Sequence, residues 1–426
     1  MASHARLVVL GLLAVVYSVI GWRAVWIPTE TASKARDSLH GDAYSDRNTL
    51  SAIRHYVDQG LGASCGLPVH NYSGPETPLS ERKVYLHYPA LPDLLGAAVA
   101  YGVQSSDEVP LRVGMALCSL LFAGLLLGLA RRLQADPVWA WAVAGLWFAS
   151  NYFVFWADSL HKHQYEEAAK AAFLLLAWRY YGSGRSTGWL LACALLYVLA
   201  ANLSFEPIVY LAVVSVGWAW IYDGHPLSRF SCAMGVAALA GFGLHLLQVW
   251  CWLGSWDAVW ADVEGAFRLR TLGEAHGQQL SELDRGLGWR DYLALPFSWL
   301  NRIERAYLIP GWTLLLLVLG TGRQLWREQP QRARLLGVLF LASIAWSLTL
   351  TQHYVVHAFT ARHFVLWAGV AVAWLGPYYV QRLRADWSGQ HLGWKLVHVG
   401  LVGYTLAMAI TQHLIDYFRY GWLQRD

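Results

Sequence analysis

The sequence predicts an all-α polytopic membrane protein with about eleven transmembrane helices and juxtamembrane helices in a large first outward loop. Three observations predict it. Of the 426 residues, 56% are hydrophobic and only 14% charged, where an ordinary soluble domain carries about 25% charged residues. The apolar residues gather in runs that approach the roughly 20 residues a helix needs to cross a bilayer. The arginines beside those runs fall on one common side when the spans are counted off, as the positive-inside rule requires. The whole chain, residues 1–426, reads as a single integral membrane domain.

The runs occupy residues 7–27, 110–130, 137–157, 164–181, 187–203, 207–222, 230–253, 306–326, 335–350, 364–380 and 394–414, some crossing only with tilt or partial burial. The first is long enough to span and lacks a small-residue cleavage pattern at its end, so it reads as a retained helix and not a removed signal peptide. Residues 90–103 are apolar too, but fourteen residues with Pro89 and Pro92 at their start suit an in-plane helix. With that segment kept out of the count, Arg6, Arg131, Arg132, Arg179, Arg185, Arg229, Arg323, Arg327, Arg332, Arg334, Arg382 and Arg384 share one side. That side is the cytoplasm of an inner or plasma membrane, with the amino terminus on it and the carboxy terminus outside. Two large loops then face outward, residues 28–109 and 254–305, with smaller ones at 158–163, 204–206 and 351–363. Long loops in a compact chain usually carry function, so the active surface is expected there.

Composition excludes several classes. The net charge is only +4 and the arginines are scattered, so nucleic acid is not an expected partner. Four of the five cysteines lie in apolar runs and only Cys65 lies in a polar loop, which offers no disulfide framework or CxxC site. No dinucleotide fingerprint, phosphate-binding loop, nucleophile elbow or HExxH appears in a suitable context.

The first outward loop contains "GDAYSDRNTLSAIRHYVDQG", residues 41–60. Ser45 is placed to cap a helix with Asp46 in its first turn, Leu50, Ile53 and Val57 form one stripe, and Gly60 stops it. This predicts an amphipathic surface helix whose positive end favours an ionised Asp46, a group able to act as a base. Further on, "KVYLHYPALPDLLGAAVAYG" brings a tyrosine- and proline-rich entry, with His87 and Tyr88, to the short apolar helix. The outward loop after the third span reads "WADSLHKHQYEEAAKAAFLLLAW". Its Asp158, His161, His163, Glu166 and Glu167 are costly to place at a membrane boundary, which makes them functional candidates. Carboxylates suit Mg²⁺ or Mn²⁺ and the histidines also tolerate Zn²⁺, so Asp158, His163, Glu166 and Glu167 form a candidate divalent-cation site.

An acid after the first span, a helix opening "YPALP" and a second acidic group after the third span together resemble the GT-C superfamily of membrane glycosyltransferases. That superfamily includes protein O-mannosyltransferases, lipid A aminoarabinose transferases and oligosaccharyltransferase catalytic subunits. The resemblance covers residues 1–222 and weakens afterwards. Such proteins often carry two adjacent acids at the first site, whereas Asp46 here is followed by Arg47 and preceded by Asp42. The resemblance implies a catalytic carboxylate at Asp46, with Asp42 as its rival.

Arginines on the translocated side break the positive-inside trend and suit an anion, since a guanidinium matches phosphate. Arg268, Arg270, Arg302 and Arg362 are the candidate ligands of a donor phosphate, and "ARHF" resembles the Arg-Tyr pair that GT-C proteins often carry at a comparable place. His87, Tyr88, His161 and His357 are the candidate substrate-binding residues. The resemblance implies an inverting transfer of sugar from a polyprenyl-phosphate donor to an acceptor on the extracytoplasmic face. The absence of a long polar tail suits a lipid, glycan or small acceptor. Two other classes compete: a polyprenyl-linked lipid transporter or flippase, for which His245 and Gln248 are the clearest polar intrusions, and a non-catalytic lipid-carrier-binding subunit.

Overall fold

The computed structural model describes residues 2–27, 43–133, 136–272, 287–306, 311–356, 358–387, 395–396, 398–405 and 407. Asp42, His357 and about half of the expected last span, 394–414, including its end at 408–414, lie outside the described residues. Among the described residues the α-helices run in order: α1 (Ala2–Trp26), α2 (Ala43–Gln59), α3 (Leu91–Val103), α4 (Glu108–Leu133), α5 (Pro137–Phe148), α6 (Asn151–Trp156), α7 (His163–Gly182) and α8 (Thr187–Leu203). Then come α9 (Phe205–Asp223), α10 (Arg229–Leu253), α11 (Trp256–Leu272), α12 (Trp289–Ala306), α13 (Gly311–Glu328), α14 (Pro330–Thr349), α15 (Thr351–Val356) and α16 (Val365–Trp387). The described strands are β1 (Val69–His70) and β2 (Lys83–Val84), which pair antiparallel with His70 opposite Lys83.

Six helical stretches among the described residues are long and apolar enough to cross a membrane: Ser3–Trp26, Glu108–Leu133, Phe205–Asp223, Arg229–Leu253, Pro330–Thr349 and Thr360–Arg384. The apolar helices Leu91–Val103, Pro137–Phe148 and Thr187–Leu203 are shorter. The expected continuous span 137–157 is instead two helices. Ser150 ends the first and starts the second: its hydroxyl accepts from the Phe153 amide at 3.1 Å and donates to the Trp147 carbonyl at 2.6 Å. A serine at this spacing diverts backbone bonding away from one uninterrupted helix. Residues 164–181 do form a helix, α7, but it buries Glu166, Glu167 and Lys170 among its apolar side chains. Where a span was expected at 306–326 the helix is Gly311–Glu328, which is not among those six stretches, and the segment before it contains α11 and α12.

One bundle core runs through α1, α4–α10, α12–α14 and α16, with Trp147 and Trp218 among its largest fully buried side chains. The Trp147 indole donates to the Val365 carbonyl at 2.9 Å, and a β-carbon at Gly369 would strike the same ring. Only glycine permits α5 and α16 to approach so closely.

Helix α2 begins at Ala43, two residues earlier than the expected Ser45 cap, so Ser45 lies inside its first turn. Its stripe of Leu50, Ile53 and Val57 packs against Ala100, Leu111 and Met115, which places the stripe on α3 and α4. Gly60, at φ 77°, ends it as expected. The following turn reaches α10: Leu67 clusters with Leu246 and Val249, and a β-carbon at Gly66 would lie 3.4 Å from the Gln248 amide nitrogen. The Cys65 thiol there meets the Cys251 thiol, a pairing that the sequence positions did not suggest. Mild oxidation of the folded protein with copper phenanthroline should therefore give a Cys65–Cys251 linked peptide by mass spectrometry, absent from Cys251→Ser. Failure to detect it in folded protein would show that this turn does not dock on α10.

Candidate functional site

A cavity of about 380 Å³ opens at one end of the bundle. Each of the five loops expected to face outward contributes to it: Tyr44 and His87 from the first, Lys162 from 158–163, Ser204 from 204–206, Arg270 from 254–305, and Gln352 from 351–363. The short ladder sets two of its groups side by side, His70 and Lys83. Ser51 fastens that ladder to α2, donating to the Val69 carbonyl at 3.0 Å and accepting from the Tyr72 amide at 2.7 Å. Tyr85 stacks on His70 at 4.8 Å and packs at a tilt against Tyr88 at 4.6 Å. Helix α11 closes the side: Arg270 donates to the His87 carbonyl at 3.0 Å and to the Tyr85 hydroxyl at 3.1 Å, while His87 meets Asp262 at 3.1 Å.

The cavity is basic. Lys83, Lys162 and Arg270 line it, and the lining carboxylate Glu206 is already committed to Arg362 and His363. Lys162 bonds the Ser204 hydroxyl at 2.9 Å and lies over the Tyr88 ring at 4.9 Å. Burial, reinforced by Arg362 and Arg270, lowers its pKa to about 8 against the pull of Glu166 and Asp93. Burial lowers His70 to about 4 and holds His161 well below the ordinary imidazole range, so both are neutral at pH 7. Burial also raises Asp93, in the first turn of α3, to about 7.

Asp46 lies behind the wall, fully buried. One oxygen accepts from Arg112 at 2.8 Å; the other accepts from the Ser159 hydroxyl at 2.7 Å and the His161 amide at 3.1 Å. Tyr44, Ser45 and Asn48 of the same turn line the cavity instead. Residues two apart on a helix lie roughly 200° apart around its axis, so Asn48 and Asp46 face nearly opposite ways. Asp158 is also fully buried and pairs with Arg23 of α1. From the cavity wall inward, three carboxylates meet three cations. Glu166 accepts from Arg362 at 2.8 and 3.1 Å and lies 3.7 Å from Lys162. Glu167 pairs with Lys170 at 2.6 Å, and Glu206 with Arg362.

The expected cation site is therefore not assembled. Asp158, Glu166 and Glu167 each face a guanidinium or ammonium, His163 packs edge-on against Trp156 and His161, and the described residues contain no group of three or more metal-ligating side chains. This donor set does not fit a divalent cation in the present arrangement, because the positive charge it would neutralise is already supplied. The four expected phosphate arginines are likewise apart. Arg270 reaches the cavity; Arg362 is buried beneath it; Arg302 stacks over Tyr354 at 3.9 Å and donates to the Val355 carbonyl at 3.2 Å; Arg268 is on the surface with Glu264. His87, Tyr88 and His161 all line the cavity.

Sequence reasoning passed over Lys83, Lys162, Glu206, Arg23 and Arg112. The last two carried a usable signal, because an arginine inside an apolar run requires a buried partner.

No family model matches the chain, and no curated protein matches it in sequence. Solved structures resemble it at low identity. The Archaeoglobus fulgidus oligosaccharyltransferase in complex with Zn and sulfate is 14% identical at a TM-score of 0.47, covering 94% of this chain and 52% of that one. Archaeal oligosaccharyltransferase AglB from the same organism, in complex with an inhibitory peptide and a dolichol-phosphate, is 13% identical at 0.48, covering 95% and 55%. The chain spans about half the length of these structures.

Replacing Arg362 by Met leaves Glu166 and Glu206 buried without their guanidinium, a change expected to cost about 3–5 kcal/mol. The double variant Glu166→Gln/Arg362→Met should recover part of that loss. Thermal unfolding in detergent checks this, and purely additive losses would show that the two side chains are not energetically coupled.

Proposed function

We propose that the chain is a membrane glycosyltransferase that moves a sugar from a polyprenyl-phosphate donor to an acceptor on the extracytoplasmic face. The observation that carries this reading is the basic, aromatic cavity assembled from the five expected outward segments. Its volume of about 380 Å³ is within the range of small-ligand sites, roughly 300–1,000 Å³. Lys83, Lys162 and Arg270 suit a phosphate, and Tyr44, Tyr85 and Tyr88 offer aromatic faces and hydroxyls to a sugar. The resemblance of the acidic and "YPALP" motifs to GT-C proteins points the same way. On α10 and on α11, the helix that closes one side of the cavity, Trp250 stacks on Trp256 at 6.0 Å, and Trp252, Trp260 and Phe267 are exposed, an apolar surface suited to a prenyl chain. The topology that goes with this reading has a cytoplasmic amino terminus, a carboxy terminus outside, and loops 28–109 and 254–305 on the catalytic face.

In the proposed reaction an acceptor hydroxyl or amine attacks the anomeric carbon as the bond to the phosphate oxygen breaks, with inversion. The departing polyprenyl phosphate gains negative charge, which Lys162 and Arg270 stabilise as fixed cations in a site of restricted water. Asp46 is the proposed base, taking the acceptor proton, a contribution worth about 10²–10⁴ in rate. To do so it must exchange the Ser159 or His161 bond to one of its oxygens for a bond to the acceptor. Asp42 remains the rival carboxylate.

A second reading has its own observation. Asp46, Asp158, Glu166 and Glu167 are all engaged by cations, as suits a non-catalytic subunit that holds a lipid carrier. A transfer assay separates the two. Mass spectrometry of lipid co-purified with the protein identifies the donor. With that donor, Asp46→Asn should lower turnover by 10²-fold or more while donor binding persists. Wild-type turnover in folded Asp46→Asn and Asp46→Ala would remove Asp46 from the mechanism, and no transfer by the wild type would favour the binding subunit.

Donor affinity should also depend on pH. Lys162 has a depressed pKa, so its ammonium is lost as pH rises through about 8; Asp93 gains negative charge as pH rises through about 7. Both changes weaken an anion site, so affinity should be highest below pH 7 and fall between 7 and 9. In Lys162→Met the part of the fall centred near 8 should disappear, and a pH profile identical to wild type would show that Lys162 does not meet the phosphate.

A further inference from the structure

The far end of the bundle holds a second cavity, of about 300 Å³, where the end of α4, the end of α9 and the start of α14 converge on α7 and α16. We propose that this cavity binds the phosphate of an anionic lipid headgroup. Arg132 and Arg332 stand on its rim, both exposed, and neither has an ion-pair partner among the described residues. The acids nearby are already engaged: Asp223 pairs with Arg185 at 2.8 Å and accepts from the Tyr181 hydroxyl, and Glu328 accepts from Gln324 at 3.0 Å. Two guanidiniums facing one cavity without carboxylates of their own present the donor geometry that a phosphate matches.

The site is built and not merely decorated. Its floor is aromatic and fixed: the Trp374 indole donates to the Leu133 carbonyl at 3.2 Å, and Trp178 packs edge-on against Trp374 at 6.4 Å and Trp218 at 5.3 Å. The Arg332 guanidinium lies 5.8 Å from the Trp374 ring centroid, and a β-carbon at Gly182 would lie 3.6 Å from the Arg132 guanidinium. The ring contact holds Arg332 at the rim, and Arg132 lies beside Gly182. Tyr222 and Gln331 add neutral polar groups for the glycerol or ester oxygens. Tryptophan and arginine at the ends of apolar helices are the residues expected at the headgroup level of a bilayer, where basic pockets between helices take up anionic headgroups. Arg131 and Arg334 belong to the same basic end but stack on Trp141 and Trp326 and do not line the cavity. They provide a control of equal charge.

The test is native mass spectrometry of the full chain in detergent, offered phosphatidylglycerol or phosphatidylcholine, with equilibrium dialysis against inorganic phosphate as a parallel arm. The wild type should retain phosphatidylglycerol over phosphatidylcholine. Arg132→Gln/Arg332→Gln should lose that retention at least tenfold, whereas Arg131→Gln/Arg334→Gln should keep it, all three proteins eluting as folded species. Binding of inorganic phosphate that needs Arg132 and Arg332, without preference between the two lipids, would support a phosphate site and overturn its lipid source. Equal retention in all three proteins, or equal loss in both double variants, would overturn the site.

Discussion

A buried guanidinium governs this molecule. Arg112 lies in α4, one of the most apolar helices, and is 1% exposed. Left there alone, it would cost several kcal/mol, because a buried charge is tolerated only when paired and hydrogen-bonded. Asp46 supplies the opposite charge and Glu108 a second carboxylate, while the Asp158 carbonyl accepts a further bond at 3.0 Å. Asp46 in turn bonds Ser159 and the His161 amide. One arginine thus locks α2, α4 and the connection leading into α7. Arg23 repeats the device from α1 through Asp158 and the Val154 carbonyl.

These locks give the cavity its character. Its wall residues project from segments whose backbones are held by buried polar bonds, so Tyr88, His161 and Lys162 keep fixed relative positions. Beneath them, Glu166, Glu167 and Glu206 offset Lys162, Lys170 and Arg362, and the histidines that line the space are neutral. What faces the opening is a surplus of positive charge on an aromatic frame. Such networks add little net stability, since desolvation offsets most of the attraction, but they penalise any packing that separates the partners.

Much of the helical layout was legible in the sequence. The apolar runs at 7–27, 110–130, 207–222 and 230–253 coincide with helices because length and apolarity suffice to mark them. The apolar segment at 90–103, too short for an expected span, is a thirteen-residue helix, and Gly60 ends α2 as its flexibility suggested. The break at Ser150 was not legible, because a hydroxyl that caps one helix and a hydroxyl that lies harmlessly within one look alike in composition. For the candidate site, the grouping of segments was readable from the alternation of basic loops, and His87, Tyr88, His161 and Arg270 do line one cavity. The partners of Asp46 and Arg362 were not, because each lies more than sixty residues away.

By itself the sequence determined that this is a helical, membrane-type chain whose chemistry-bearing residues collect in a few polar segments, since hydropathy and charge are local properties. Tertiary structure alone decided which charges face the cavity and which neutralise one another. Asp46, Asp158, Glu166 and Arg362 look like open ligands in the sequence, and all are committed to buried partners in the fold. Lys162 looks like an unremarkable lysine between two histidines, and it stands in the cavity. The physical reason is that a charge in a low-dielectric interior is defined by its nearest opposite charge, and that neighbour comes from packing between helices distant in the chain.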